Sequence, residues 1–235
     1  MKWLPLLLFM CSFNAFAQYP FEKYPAIKYD TATIKSVKSK YDQGFKAVAI
    51  YKNYKFIFLG ERLPDSSNIL LYYKKHIIKR INHSADMRVL FLQNPIYIAD
   101  IDGNGLKDFK IDMGNDGSGA AADYEHKIYL FQQKKNRFKK LSFVDLFSNT
   151  ERDFNHDGNF EIIGQVYKRY KNHSYYIFDL YNFIGGKILN VSQKYNYPIA
   201  VQNLWVPTYK ITNKIPKSLL KHFSLLFPED YSNDN

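Results

Sequence analysis

Two nine-residue stretches carry oxygen-bearing side chains at a spacing that suits a hard cation. They are Asp100-Ile101-Asp102-Gly103-Asn104-Gly105-Leu106-Lys107-Asp108 and Asp153-Phe154-Asn155-His156-Asp157-Gly158-Asn159-Phe160-Glu161. Each has Asp or Asn at loop positions 1, 3 and 5, Gly at position 6, and Asp or Glu at position 9. Ca²⁺ takes about six to eight oxygens at short range, and a loop with these offsets wraps around one ion. Glycine at position 6 permits the turn that brings the carbonyl of position 7 inward, a conformation costly for residues with a Cβ. An EF-hand would need a bidentate Glu at position 12 and then a helix. Here position 12 is Ile111 or Gly164, and β-favouring residues follow. The ninth position carries the last carboxylate instead, Asp108 or Glu161.

This variant, leading directly into a strand, resembles the calcium loops of FG-GAP and VCBS-type repeats. Such repeats occur in integrin-like β-propellers and in many exported bacterial proteins. The resemblance implies two Ca²⁺ sites. In the first, Asp100, Asp102, Asn104 and Asp108 would give side-chain oxygens and Leu106 a backbone carbonyl. In the second, Asp153, Asn155, Asp157 and Glu161 would serve, with the carbonyl of Asn159. Three carboxylates against a dication imply modest affinity and a structural role, because without the ion they crowd and repel.

The elements that must hold these loops read as strands. Short runs rich in β-branched and aromatic residues recur between Gly, Asn, Asp and Lys clusters: 47–51, 54–59, 68–73, 88–92, 96–99, 109–113, 127–131, 162–167 and 175–181. This rhythm predicts an all-β, mainly antiparallel fold with propeller-blade-like repeats. Each acidic loop is followed by an apolar strand, a polar connector, an aromatic strand, a turn and another strand. Two copies of one unit are expected, at about 96–147 and 149–195. Residues 18–95 form an N-terminal β region without an acidic loop. The segment 196–235 is expected to hold a short helix over 217–227, bounded by Pro216 and Pro228, with Leu219, Leu220, Phe223, Leu226 and Phe227 on one face. That face is expected to dock on the protein's own sheet.

The first 17 residues read as a secretory signal peptide: Lys2, an apolar stretch over 4–10, and Ala15-Phe16-Ala17 as cleavage site. The apolar run is too short to span a bilayer, and no transmembrane segment is expected in the mature chain. Export to the periplasm, the outer membrane or the medium follows. Cleavage after Ala17 would remove the only cysteine, so no disulfide is expected.

The net charge is +11. A basic exported protein suits an anionic cell-envelope polymer or an acidic protein partner rather than nucleic acid. Lys134, Lys135, Arg137, Lys139 and Lys140 make its densest basic stretch. Catalytic signatures are missing: there is no His-Glu-x-x-His, no Gly-x-Ser-x-Gly and no cysteine nucleophile in the mature chain. The glycine-rich segment 114–123 lacks the Lys and helix of a phosphate loop and reads as a surface connection. The sequence therefore points to an exported, calcium-stabilised binding or envelope-associated module. The alternative is an exported hydrolase or an enzyme inhibitor that uses the calcium units as scaffold.

Overall fold

The computed structural model describes residues 24–40, 44–60, 67–83, 96–114, 124–146, 150–203 and 214–234. The expected signal peptide, the strand at 88–92 and most of the 114–123 connection lie outside the described residues. Among these residues the chain builds three antiparallel sheets.

The first sheet is a five-stranded meander of β2 (Thr33–Lys40), β3 (Gly44–Tyr51), β4 (Tyr54–Gly60), β5 (Ser67–Tyr73) and β6 (His76–His83). The second runs in the order β1 (Asp30–Thr31), β7 (Ile96–Ala99), β8 (Asp108–Gly114), β9 (Tyr124–Lys134), β10 (Arg137–Leu146) and β15 (Ser232–Asn233). The third holds β11 (Glu161–Tyr170), β12 (His173–Ile184) and β13 (Lys187–Asn190). In it β14 (Ile199–Gln202) also pairs with β12, at Tyr175–Phe178, while β13 takes Tyr181–Ile184. The all-β expectation holds, and among the described residues the sheets do not close into a barrel.

The central sheet is covered on both faces. Ala47, Ala49, Phe56, Phe58, Ile69 and Leu71 of the first sheet pack with Ile98, Phe109, Ile111, Ile128 and Leu130 of the second. On the opposite face Tyr129, Phe131, Leu141 and Phe143 meet Ile162, Tyr181, Phe183 and Ile188 of the third. Strand β9 contributes alternate residues to the two cores, which explains why 128–131 is an unbroken apolar run. Aromatic contacts bridge both seams: Phe109 meets Phe56 edge-on at 5.0 Å between centroids, and Tyr129 lies 4.8 Å from Phe183.

The C-terminal helix is shorter than expected. Helix α1 covers only Lys217–Leu220, one turn, rather than 217–227. After Leu220 the chain tightens into turns, with the N–H of His222 on Leu219 and that of Phe223 on Leu220, and the Leu225 N–H then donates to the Asp179 carboxylate at 2.9 Å. Of the expected face only Leu220 and Phe223 pack on Val166, Tyr175 and Ile177, joined by Leu225, whereas Leu219, Leu226 and Phe227 are exposed. Among the described residues no helix is long and apolar enough to cross a membrane.

Candidate metal centre

Both acidic loops connect an outer pairing partner to a strand of their sheet. The first spans the gap between β7 and β8, closed by the Ala99–Asp108 pair. The second runs from an isolated bridge, Arg152 to Glu161, into β11. An N-terminal segment lines both: Ala26 bridges Arg152, and β1 pairs with β7.

The loops share one set of backbone hydrogen bonds. The N–H of Gly105 donates to Asp100 Oδ2 at 2.8 Å, and that of Gly158 to Asp153 Oδ2 at 3.2 Å. The N–H of Ile101 reaches Asp108 Oδ2 at 2.8 Å, and that of Phe154 reaches Glu161 Oε2 at 2.9 Å. Position 6 is left-handed in both, with φ of +82° at Gly105 and +86° at Gly158. Position 4 is also left-handed, with φ of 68° at Gly103 and 60° at His156. The sequence flagged only position 6. A left-handed His is uncommon and gave no signal of its own.

The interiors of the loops differ. In the first, carboxylate oxygens of Asp100, Asp102 and Asp108 all lie within 4.8 Å of one another. Asp102 is 7 % exposed, yet neither of its oxygens accepts a hydrogen bond, and Asp100 Oδ1 also lacks a donor. Burial raises the Asp102 carboxyl above its ordinary value, and the charge of Asp100 adds to the rise. The backbone N–H groups of Asn104 and Gly186 offset part of it without meeting hydrogen-bond geometry. Burial likewise pushes Asp108 up to about 7 despite donors from Ile101 and Gln132. Asn104 completes the ring: its Oδ1 accepts from the Leu106 N–H at 2.8 Å, and its Nδ2 donates to the Gln132 carbonyl at 2.9 Å. Orphaned buried carboxylate oxygens are costly in a folded protein, and a cation satisfies several at once.

The second loop satisfies itself. The Asn155 amide nitrogen donates to Asp157 Oδ2 at 2.7 Å, to Glu161 Oε1 at 3.2 Å and to the Tyr195 hydroxyl at 2.9 Å. The positive end of an amide dipole thus stands among the acidic oxygens. Asp153 Oδ1 and Asn155 Oδ1 both accept from the Asp157 N–H, and Asp157 Oδ1 accepts from Asn159. Burial, then Asp157 and Asp153, raise Glu161 to about 7. A half-turn of the Asn155 amide would exchange its nitrogen for its oxygen and give the loop a ligand in place of a donor.

The two loops touch. The Phe160 N–H donates to the Ile101 carbonyl at 3.4 Å. The Asn159 side chain is seated on Gly103, where a Cβ would fall 1.7 Å from Asn159 Oδ1. Sequence spacing gave no hint of this contact, because it is made by the packing of the third sheet on the second.

Sequence reasoning also missed a buried ionic network beside the loops. Lys110 Nζ lies 3.1 Å from Glu151 Oε2 and 3.4 Å from Asp112 Oδ2, and Lys127 Nζ lies 2.7 Å from Asp145 Oδ2. The Tyr129 hydroxyl donates to Glu151. Lys110 also sits over the rings of Tyr29 and Tyr97, at 4.7 and 5.0 Å. Burial alone would raise Glu151, but Lys110, Lys127 and the tyrosine hydroxyls outweigh it and hold the carboxyl at about 2. The available signal was Lys110 and Lys127 flanked by apolar residues, Phe109 and Ile111 in β8 and Ile128 to Phe131 in β9. Comparison with protein-family models, with characterised proteins and with solved structures finds no match.

Proposed function

We propose that the protein is an exported, calcium-stabilised β-module that binds an anionic component of the cell envelope and performs no catalysis of its own. The observation that carries the calcium reading is the first loop. Three carboxylates converge there, and the buried Asp102 has no donor for either oxygen. A hard cation is the ligand that such an all-oxygen set favours, and the loop's size and charge suit Ca²⁺ over a transition metal. Asp100, Asp102 and Asp108 would hold it, with Asn104 and the Leu106 carbonyl completing the shell. The second loop would take an ion after rotation of the Asn155 amide. The ion's contribution is to neutralise the carboxylates and to fix the loops against each other and the sheets. The net charge of +11 supports an anionic partner.

Calcium titration of the mature protein, followed by calorimetry, tests the first half. Heat of binding and a raised melting temperature are expected, and their absence at millimolar Ca²⁺ would refute it. Co-precipitation with anionic envelope fractions at low and high salt tests the second half, with loss of binding at high salt expected.

A further inference from the structure

Where the segment after β13 meets the C-terminal segment, the third sheet carries a pocket of about 540 Å³. Its described walls are Asn190, Val191, Gln193 and Lys194 on one side and Lys221, Ser224, Leu225 and Leu226 on the other. A single buried carboxylate fastens the walls together. Asp179, 1 % exposed, accepts from Ser192 Oγ at 2.9 Å, from the Ser224 hydroxyl and from the Leu225 N–H at 2.9 Å. The Leu225 carbonyl accepts from Asn190 Nδ2 at 2.6 Å and from the Tyr181 hydroxyl at 3.0 Å. With both backbone groups of Leu225 drawn inward, the next residue is held out: Leu226 is 71 % exposed. The cavity is thus fixed in shape before any ligand arrives, which lowers the cost of binding.

Its chemistry is two-sided. Lys194 and Lys221 are exposed, and among its described lining residues there is no carboxylate. Val191, Leu225 and Leu226 supply an apolar wall beside them. Asp179 beneath is buried and held by neutral donors, so the exposed ammonium groups of Lys194 and Lys221 are the charges that face the opening. Lys194 Nζ lies 5.1 Å from the centre of the Tyr195 ring, whose hydroxyl acts on it most, and Asp157 and Glu161 of the second loop act on it more weakly.

We propose that this pocket binds an anionic amphiphile, a phosphate head between Lys194 and Lys221 with its apolar chain along Val191, Leu225 and Leu226. This rests on the binding-module reading above and names the site and the ligand class. A purely polar polymer would leave the Leu226 wall unused, whereas a phosphate head with an acyl chain matches both sides.

Spectra of the ¹⁵N-labelled chain at saturating Ca²⁺ provide the test, with dihexanoyl phosphatidic acid as probe and dihexanoyl phosphatidylcholine and inorganic phosphate as controls. Saturable shifts at 190–194 and 221–226 are expected with phosphatidic acid. Affinity should fall about tenfold or more in Lys194→Glu/Lys221→Glu and also in Leu226→Ser, with melting temperatures unchanged. Equal response to phosphatidylcholine, insensitivity to charge reversal, or no saturable shift would overturn the proposal. Co-sedimentation with phosphatidylglycerol vesicles separates two sources of the same chemistry. Pelleting that Leu226→Ser abolishes assigns a bilayer lipid, and titration without pelleting assigns a free amphiphile; either supports the pocket. Envelope-polymer binding untouched by these substitutions would overturn the pocket and leave the binding-module reading standing. Loss of every anionic ligand would remove both.

Discussion

Single carboxylates in this molecule sit in opposite states for identifiable reasons. Asp102 is buried with no donor and so is destabilised when charged. Asp102→Asn should therefore leave the calcium-free melting temperature equal or higher while removing most of its rise with Ca²⁺. A roughly hundredfold loss of affinity corresponds to about 2.7 kcal/mol of ligand-linked stability, which calorimetry with and without chelator resolves. Glu151 is buried but compensated by Lys110, Lys127 and the tyrosine hydroxyls. Glu151→Gln leaves Lys110 short of its closest partner and should cost about 3 kcal/mol in denaturant melts. Because the Glu151 carboxyl is held at about 2, below its unfolded value, it adds stability above the ordinary carboxylate range and loses it as pH falls towards 2. Asp112 acts in the other direction. Burial raises it to about 6, so its contribution is present at acid pH and lost as pH rises through that value. The Gln variant should accordingly flatten the acid limb of the stability profile and move the limb near pH 6 to lower pH, because Glu151 shares Lys110 with Asp112 and helps to raise it.

At the scale of elements, the glycines of the first loop separate backbone strain from loop-to-loop contact. Gly103 and Gly105 are both left-handed, but only Gly103 has a neighbour in the way. Gly105→Ala should cost about 1–2 kcal/mol from conformation alone. Gly103→Ala should cost more, because the added Cβ also displaces Asn159, and Asn159→Gly should recover the difference. A double-mutant cycle in thermal melts measures it. Much at this scale was legible in the sequence. The runs at 47–51, 54–59, 68–73, 96–99, 109–113 and 175–181 all fall within strands, since short β-branched and aromatic segments bounded by turn residues have few other solutions. The apolar spacing of 217–227 is helical throughout, yet the helix covers only Lys217–Leu220. The chain instead leaves the helix after one turn and bonds Ser224 and Leu225 to Asp179, a residue far away in sequence.

Across the whole molecule, the acidic loops and the C-terminal segment act at the borders of the third sheet. The first loop meets that sheet through Gly103 and Asn159 and through the Phe160–Ile101 hydrogen bond. Removal of Ca²⁺ should therefore raise amide exchange in β11 as well as in the loops, whereas the first sheet, packed on the opposite face, should keep its protection. The C-terminal segment is held by Asp179. Asp179→Ala should release residues 214–227 to exchange and lower stability by about 2–3 kcal/mol, since several donors are left unpaired at once. Beyond β15, Asp234 pairs with Lys79 and so links the chain end to the first sheet.

Loop offsets, strand rhythm and charge are local properties, and the sequence alone carried them. The all-β class, the strand positions and the ligand-like spacing of Asp100, Asp102 and Asp108 could be read because each depends on residues within a few positions of one another. The tertiary structure decided what depends on distant partners. It left Asp102 without donors, filled the second loop with the Asn155 amide, and seated Asn159 on Gly103. It also buried Lys110 and Lys127 by covering the central sheet on both faces, and fixed the Lys194–Lys221 pocket through Asp179. Burial and orphaned polar atoms arise only when sheets stack, and no periodicity along one strand encodes which neighbour will cover it.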